Sequence, residues 1–216
     1  MTASLSVVID AGQLERATAD LAVATFFETD RPLRGEAGRA DWRLCGLLSR
    51  LVASSHLRGR AGEAALVYTG RRLRAPRLVL LGLGASAGFG ALEAKAATRD
   101  AVHRALRLRA QTLALPLPGH WTGALAITPT AAAVLRGAAT ALAEAGASLR
   151  VQLVVPPGTA SKALAGLDAM AAQLEDGPVR IRISAEDPTA TFAPRDFAPR
   201  ESAPAAGGAL RPPAAR

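Results

Sequence analysis

Three groups of residues in this 216-residue chain have types and spacing that chemistry can use. The first is the glycine run Gly82-Leu-Gly84-Ala-Ser-Ala-Gly88-Phe-Gly90, which follows an apolar stretch and precedes a helical pattern. Backbone amides of such a loop, with the next helix N-terminus, attract a phosphate. The spacing is G-x-G-x-x-x-G, near a dinucleotide fingerprint but unequal to it. No strand bearing a ribose-binding acid follows about 20 residues later. A tight strand-to-helix turn explains the glycines equally. The second group is Pro118-Gly119-His120-Trp121. His120 could bind or titrate, and Trp121 could stack on a ring. The simpler arrangement has Trp121 covering a core edge and His120 exposed. The third group is Arg58, Arg60, Arg71, Arg72, Arg74 and Arg77, with Glu63 the nearby acid. Clustered arginines can hold phosphates with steep salt dependence. Aromatic residues are not interleaved among them, which argues against stacking on single strands. A solvated arginine surface is the plainer alternative.

Other reactive side chains are isolated. His56 and His103 lack metal-ligand spacing to another ligand. Cys45 stands beside an apolar helical stripe and reads as a small core residue rather than a nucleophile. As the single cysteine, it excludes an internal disulfide framework and a cysteine metal cluster.

The elements that position these residues can be read from periodicity. Residues 5–9 and 21–27 are expected strands, rich in β-branched and aromatic residues. After Asp41, the stripe Leu44, Leu47, Leu48, Leu51 and Val52 predicts one amphipathic helix containing Gly46. Ala64–Tyr68 and Leu78–Leu83 are the next strands, and the second is apolar throughout, as in a strand buried on both faces. If these two pair through the Arg71–Pro76 turn, the six arginines gather at one end of the sheet. Leu92–Leu108 predicts a helix with Leu92, Ala96, Val102, Ala105 and Leu106 inward. A short strand follows at Thr112–Leu115. Thr128-Pro129 suggests an N-cap and first helical residue, and Gly146 a stop. Val151–Val155 is a strand, and a helix opens after Thr159 or Ser161. Val179, Ile181 and Ile183 alternate with Arg180 and Arg182, which suits a strand near a sheet edge with one face in water. Strand–helix alternation in the second half, with adjacent strands in the first, predicts a mixed sheet between helices.

Composition sets the class. Half the residues are hydrophobic but only 4% are aromatic, so Leu, Val and Ala build the core. No apolar run approaches the ~18–20 residues that span a bilayer. The first ten residues lack the pattern of a signal peptide, and a cytoplasmic location is expected. The net charge is +8, nearly all of it from arginine. Residues 186–216 change character, with six prolines in 31 residues and balanced charge. This composition predicts a disordered tail after a domain of residues 1–185. The tail repeats Phe-Ala-Pro-Arg at 192–195 and 197–200, which is either a docking motif or low-complexity drift.

The run from Arg31 to Gly84, a Pro/Gly turn, amphipathic helix, strand, arginine-rich turn and apolar strand ending in Gly-x-Gly, resembles the amino-terminal domain of the leucyl aminopeptidases, the M17 metallopeptidases. By element order the resemblance extends over residues 5–185. It implies a three-layer α/β/α sandwich with a mixed, mostly parallel sheet of the macro-domain type. It also implies that the Gly82–Gly84 turn is structural, since the family's non-catalytic domains carry a similar one. The family's metal ions are held in a carboxy-terminal domain with an Asn-Thr-Asp-Ala-Glu-Gly-Arg stretch that has no match here. No residue therefore inherits a catalytic, cofactor or metal role. A two-metal centre needs converging carboxylates, and the fourteen acids of residues 1–185 are scattered.

The function expected from these readings is a non-catalytic interaction or regulatory module, binding itself or an M17 aminopeptidase. In the family's hexamers this domain sits on the outside. Nucleic-acid binding through the arginines is an alternative, since some M17 enzymes bind DNA. A weaker one is a macro-like ligand site for a nucleotide or ADP-ribose. No cofactor and no membrane contact are expected.

Overall fold

A computed structural model of the chain describes residues 3–123 and 125–185. The tail and its repeat lie outside the described residues. Among the described residues seven strands are formed: β1 (Ala3–Asp10), β2 (Leu21–Phe26), β3 (Ala64–Tyr68), β4 (Arg77–Gly82), β5 (Thr112–Pro116), β6 (Ser148–Val154) and β7 (Val179–Ala185). They make one sheet in the order β3-β4-β2-β5-β6-β1-β7. The β3–β4 pair is antiparallel and every other pairing is parallel. The mixed sheet expected from adjacent early strands is thus confined to one edge.

Five α-helices of the described residues flank the sheet: α1 (Gly35–Arg43), α2 (Leu47–Ala53), α3 (Ala91–Arg107), α4 (Ile127–Ala145) and α5 (Ala160–Gln173). Successive strand residues point to opposite faces. Leu21, Val23, Leu113, Leu115, Val151 and Leu153 therefore meet α3, α4 and α5 in the larger core. Ala22, Ala24, Phe26, Leu78 and Leu80 meet α1, α2 and a short 3-10 helix at Leu14–Arg16 on the other side. Strands β2 and β4 are apolar on both faces because each face has a helical layer. Each fully buried Leu contributes about 1.5–3 kcal/mol to this sandwich. Over β6, β1 and β7 the second face carries Ser4, Ser6, Arg150, Arg180 and Arg182, the alternation expected of an edge with one wet face.

Three local expectations are corrected. The helix after Asp41 is two helices, broken where Cys45 and Gly46 take left-handed backbone (φ 54° and 76°). Asp41 caps the second: its Oδ1 accepts the Leu48 and Ser49 amides at 2.8 and 3.0 Å. Cys45 is consequently exposed at the break rather than packed in the core. On α3, Leu92 is 72% exposed and Ala96 also faces outward. The inward face is Ala94, Thr98, Ala101, Val102 and Ala105, small or β-branched residues that let α3 and α4 lie close. Helix α4 begins at Ile127, two residues before Pro129, with Ala126 as its N-cap.

Candidate functional site

Parallel strands end together at one rim of the sheet, where open α/β folds place ligand crevices. Here Asp10, Phe26, Gly82, Pro116 and Val154 mark that rim. Both sequence-predicted loops reach it. Gly82 has a packing reason to be glycine: a Cβ there would stand 2.3 Å from the Arg60 carbonyl oxygen. Gly84 bridges neighbours, its N–H donating to the Gly59 carbonyl (2.7 Å) and its carbonyl accepting the Glu28 amide (3.0 Å). Gly88 turns the chain toward α3 with φ 77°. At the N-terminus of α3 the position for an anion is filled internally, because Glu93 Oε2 accepts the Gly90 amide at 2.9 Å. The glycine run is thus a strand-to-helix turn with its own carboxylate.

The second loop closes over the same rim. Phe27 and Phe89 meet edge to face at 4.9 Å, and Trp121 lies 5.5 Å from Phe27. Gly119 is pressed so near that a Cβ would be 2.9 Å from Phe89. Trp121 covers the core edge, as the simpler reading has it. His120 does not stay exposed. Its Nδ1 donates to the Leu117 carbonyl at 2.8 Å, and Nε2 stands 3.3 Å from Glu36 Oε1. Arg39 reaches the same oxygen at 3.0 Å and Glu15 at 3.5 Å, so the order Glu15–Arg39–Glu36–His120 is a continuous polar chain beside α1. Glu36 is 4% exposed, and its Oε2 has no partner, like Nε1 of Trp121. The two ring nitrogens of His120 thus tie the loop after β5 to the Leu117 carbonyl and to α1. Sequence reasoning found no partner for His120 because Glu36 is 84 residues away and enters only through α1. Nearby, Gln152 Nε2 donates to Asp10 Oδ2 at 2.8 Å, a buried pair whose only sequence signal is a polar residue inside an apolar strand. Among the described residues, no group of three or more His, Cys, Asp or Glu side chains converges as metal ligands.

The six predicted arginines are divided. Register places Ala64 opposite Leu81 and Tyr68 opposite Arg77, so β3 separates its two flanking loops by its own length. Arg58 and Arg60 stand at the rim just described. Their loop is organised by Glu63, whose Oε2 accepts the amides of Arg58, Gly59 and Arg60 at 2.7, 3.0 and 3.2 Å. The Arg58 amide, foremost, holds the Glu63 carboxyl below its ordinary value, assisted by those of Arg60 and Gly59. Arg71, Arg72 and Arg74 occupy the hairpin turn at the opposite rim. Arg77 is a clamp: its guanidinium donates to the carbonyls of Asp20 (3.2 Å) and Leu108 (2.9 Å). On α3, Arg99 pairs with Glu144, and Arg104 pairs with Asp100 and reaches the Gly62 carbonyl. The expectation of one six-arginine cluster is therefore corrected. Instead, Arg71, Arg72 and Arg74 are joined by Arg16 and Arg43, with Glu15 and Leu73, around a cavity of about 330 Å³. Arg16 and Arg43 carry no sequence signal, since the 3-10 helix and the end of α1 bring them there.

A surface that sequence reasoning did not single out lies beside this cavity. Trp42 is 79% exposed. Helix α1 turns Ala37 and Ala40 inward, which leaves Trp42 on its outer side. It lines an open groove of about 790 Å³ with Pro32, Leu33, Gly38, Arg43, Cys45 and Gly46. The Arg43 guanidinium lies 5.7 Å from the Trp42 ring, so one residue borders both the groove and the arginine cavity.

Comparison with known proteins adds a family and a fold. Residues 22–148 match the family described as "Cytosol aminopeptidase family, N-terminal domain". A probable cytosol aminopeptidase of Cyanothece sp. is 28% identical over 99 residues, covering 46% of this chain and 20% of the relative. The chain spans about a fifth of the length of such curated relatives. A tomato leucine aminopeptidase mutant superposes with a TM-score of 0.61 at 16% identity, over 79% of this chain and 36% of that one. An Oceanobacillus iheyensis macrodomain with ADP gives 0.60 at 12% identity, over 78% of this chain and 90% of the other. The macro-like fold is shared, as the Arg31–Gly84 stretch implies.

Proposed function

Because the chain belongs to the N-terminal domain family of the cytosol aminopeptidases, we propose that it is a non-catalytic protein-binding module whose docking face is the groove beside Trp42. The observation that carries this reading is the exposed indole on an apolar groove. Large exposed aromatics cost free energy in water, and tryptophan is enriched among residues that dominate interface energy. The partner is a second copy or an M17 aminopeptidase. In the tomato enzyme this fold occupies about a third of a longer chain, so the architecture is one that works packed beside other units. A nucleotide in the rim crevice is less favoured. Phe27, Phe89 and Trp121 fill that rim, and Glu93 holds the α3 N-terminus.

Gel filtration with light scattering, on the full chain alone and mixed with an M17 aminopeptidase, tests the proposal. A dimer or a co-eluting complex is expected, and Trp42→Glu should abolish it while leaving the melting temperature unchanged. A monomer that co-elutes with nothing overturns it. Turnover of a leucyl chromogenic substrate with added zinc or manganese would overturn the non-catalytic part.

A further inference from the structure

We propose that the cavity at the hairpin rim, bordered by Arg16, Arg43, Arg71, Arg72 and Arg74, is a binding site for an oligophosphate group, either free or at the end of a nucleotide. Three separate segments build it. The 3-10 helix contributes Arg16, the last turn of α1 contributes Arg43, and the β3–β4 turn contributes the other three. The turn is a built structure. Thr69 accepts the Arg72 amide at 3.0 Å and donates its hydroxyl to the Ala75 carbonyl at 2.8 Å. Leu73 and Ala75 are buried and anchor it, so Arg71, Arg72 and Arg74 are presented outward. The Arg74 amide bonds the Glu15 carbonyl at 3.3 Å, which ties the turn to the 3-10 helix.

The charge at the site is one-sided. Five arginines line one concavity, and Glu15 is the one acidic residue in its lining. That carboxylate is buried and turned toward Arg39, 3.5 Å away. Three arginines outside its lining do pair with carboxylates, Arg39 with Glu15 and Glu36, Arg99 with Glu144 and Arg104 with Asp100. Among the described residues, Arg16, Arg71, Arg72 and Arg74 make no ion pair with an acidic side chain. Mutual repulsion there is relieved by an anion that brings several charges into a small space. A phosphate group carries about −1.5 to −2 and three acceptor oxygens, and guanidinium forks match phosphate oxygens in pairs. A cavity of about 330 Å³ is at the small end of ligand sites, which fits two or three linked phosphates. The site lies at the rim opposite the parallel-strand crevice and is separate from it.

Isothermal titration of the full chain at low salt with tripolyphosphate and with ATP tests this, using sulfate as the simple-anion control. Binding is expected for tripolyphosphate and ATP and not for sulfate. Arg16→Ala and Arg72→Ala should each weaken it about tenfold or more, whereas Arg180→Ala, of equal charge change on β7, should leave it unaltered. Equal affinity for both ligands identifies the phosphate chain as sufficient, and tighter ATP shows that the nucleoside adds contacts; either supports the site. Absence of binding, equal affinity for sulfate, or equal loss with Arg180→Ala overturns it.

Discussion

His120 Nε2 stands 3.3 Å from Glu36 Oε1, and this contact joins the loop after β5 to the first turn of α1. Helix α1 in turn carries Trp42 and Arg43. The histidine thus links the closed rim to the element that presents the exposed groove. Removing Glu36 leaves His120 and Arg39 without their shared acceptor. Glu36→Ala should destabilise the fold by about 1–3 kcal/mol, and a double-mutant cycle with His120→Ala should show positive coupling in urea unfolding. Additive losses would show that the contact carries no energy.

Gly82→Ala tests the structural reading of the glycine run. The added methyl would meet the Arg60 carbonyl oxygen at 2.3 Å and the Gly59 carbonyl carbon at 2.7 Å, both backbone atoms. Overpacking of this kind costs about 1–3 kcal/mol, occasionally more. Thermal unfolding should fall accordingly. An unchanged melting temperature would mean that the 58–60 loop moves aside freely.

Glu63 makes a pH-dependent contribution of defined sign. Its carboxyl is held below the ordinary value in the folded chain, chiefly by the Arg58 amide. Folding therefore favours the charged form. The contribution is complete above the unfolded value and is lost as pH falls through the lowered folded value. Glu63→Gln should flatten the acid limb of stability, measured by denaturant titration from neutral pH downward. Identical acid limbs in both proteins would assign the amide contacts no net effect.

Arg77 and Arg71 should respond in opposite ways although both belong to one arginine-rich run. Arg77→Ala removes hydrogen bonds to the Asp20 and Leu108 carbonyls and should cost roughly 1.5–3 kcal/mol. Arg71 is exposed with left-handed backbone (φ 66°). Arg71→Gly should be neutral or slightly stabilising, because glycine meets no steric penalty there. Equal melting temperatures for the two variants would contradict the division of the cluster.

Much of this fold was legible because its signals are local. Ala64–Tyr68 is the strand its composition predicts, and the alternation of Val179, Ile181 and Ile183 with arginines does mark an edge strand. Gly146 ends α4 in the left-handed conformation expected of a stop. Local signals mislead where two elements compete for one pattern. The Leu44–Val52 stripe is continuous in sequence, yet Gly46 and the cap from Asp41 divide it. Leu92 fits an apolar stripe but lies in the first turn of α3, outside the contact with α4.

Sequence by itself determined the family, the mixed α/β sheet and the identity of the strand-to-helix turns, since these depend on periodicity and backbone preference within short windows. Tertiary structure alone decided which charges meet. It set Glu36 against His120, separated Arg58 and Arg60 from Arg71, Arg72 and Arg74, and brought Arg16 and Arg43 to the latter. The physical reason is range. Secondary structure is chosen by neighbours a few residues apart, whereas a site is built from side chains that only the crossing of strands and helices carries to one place.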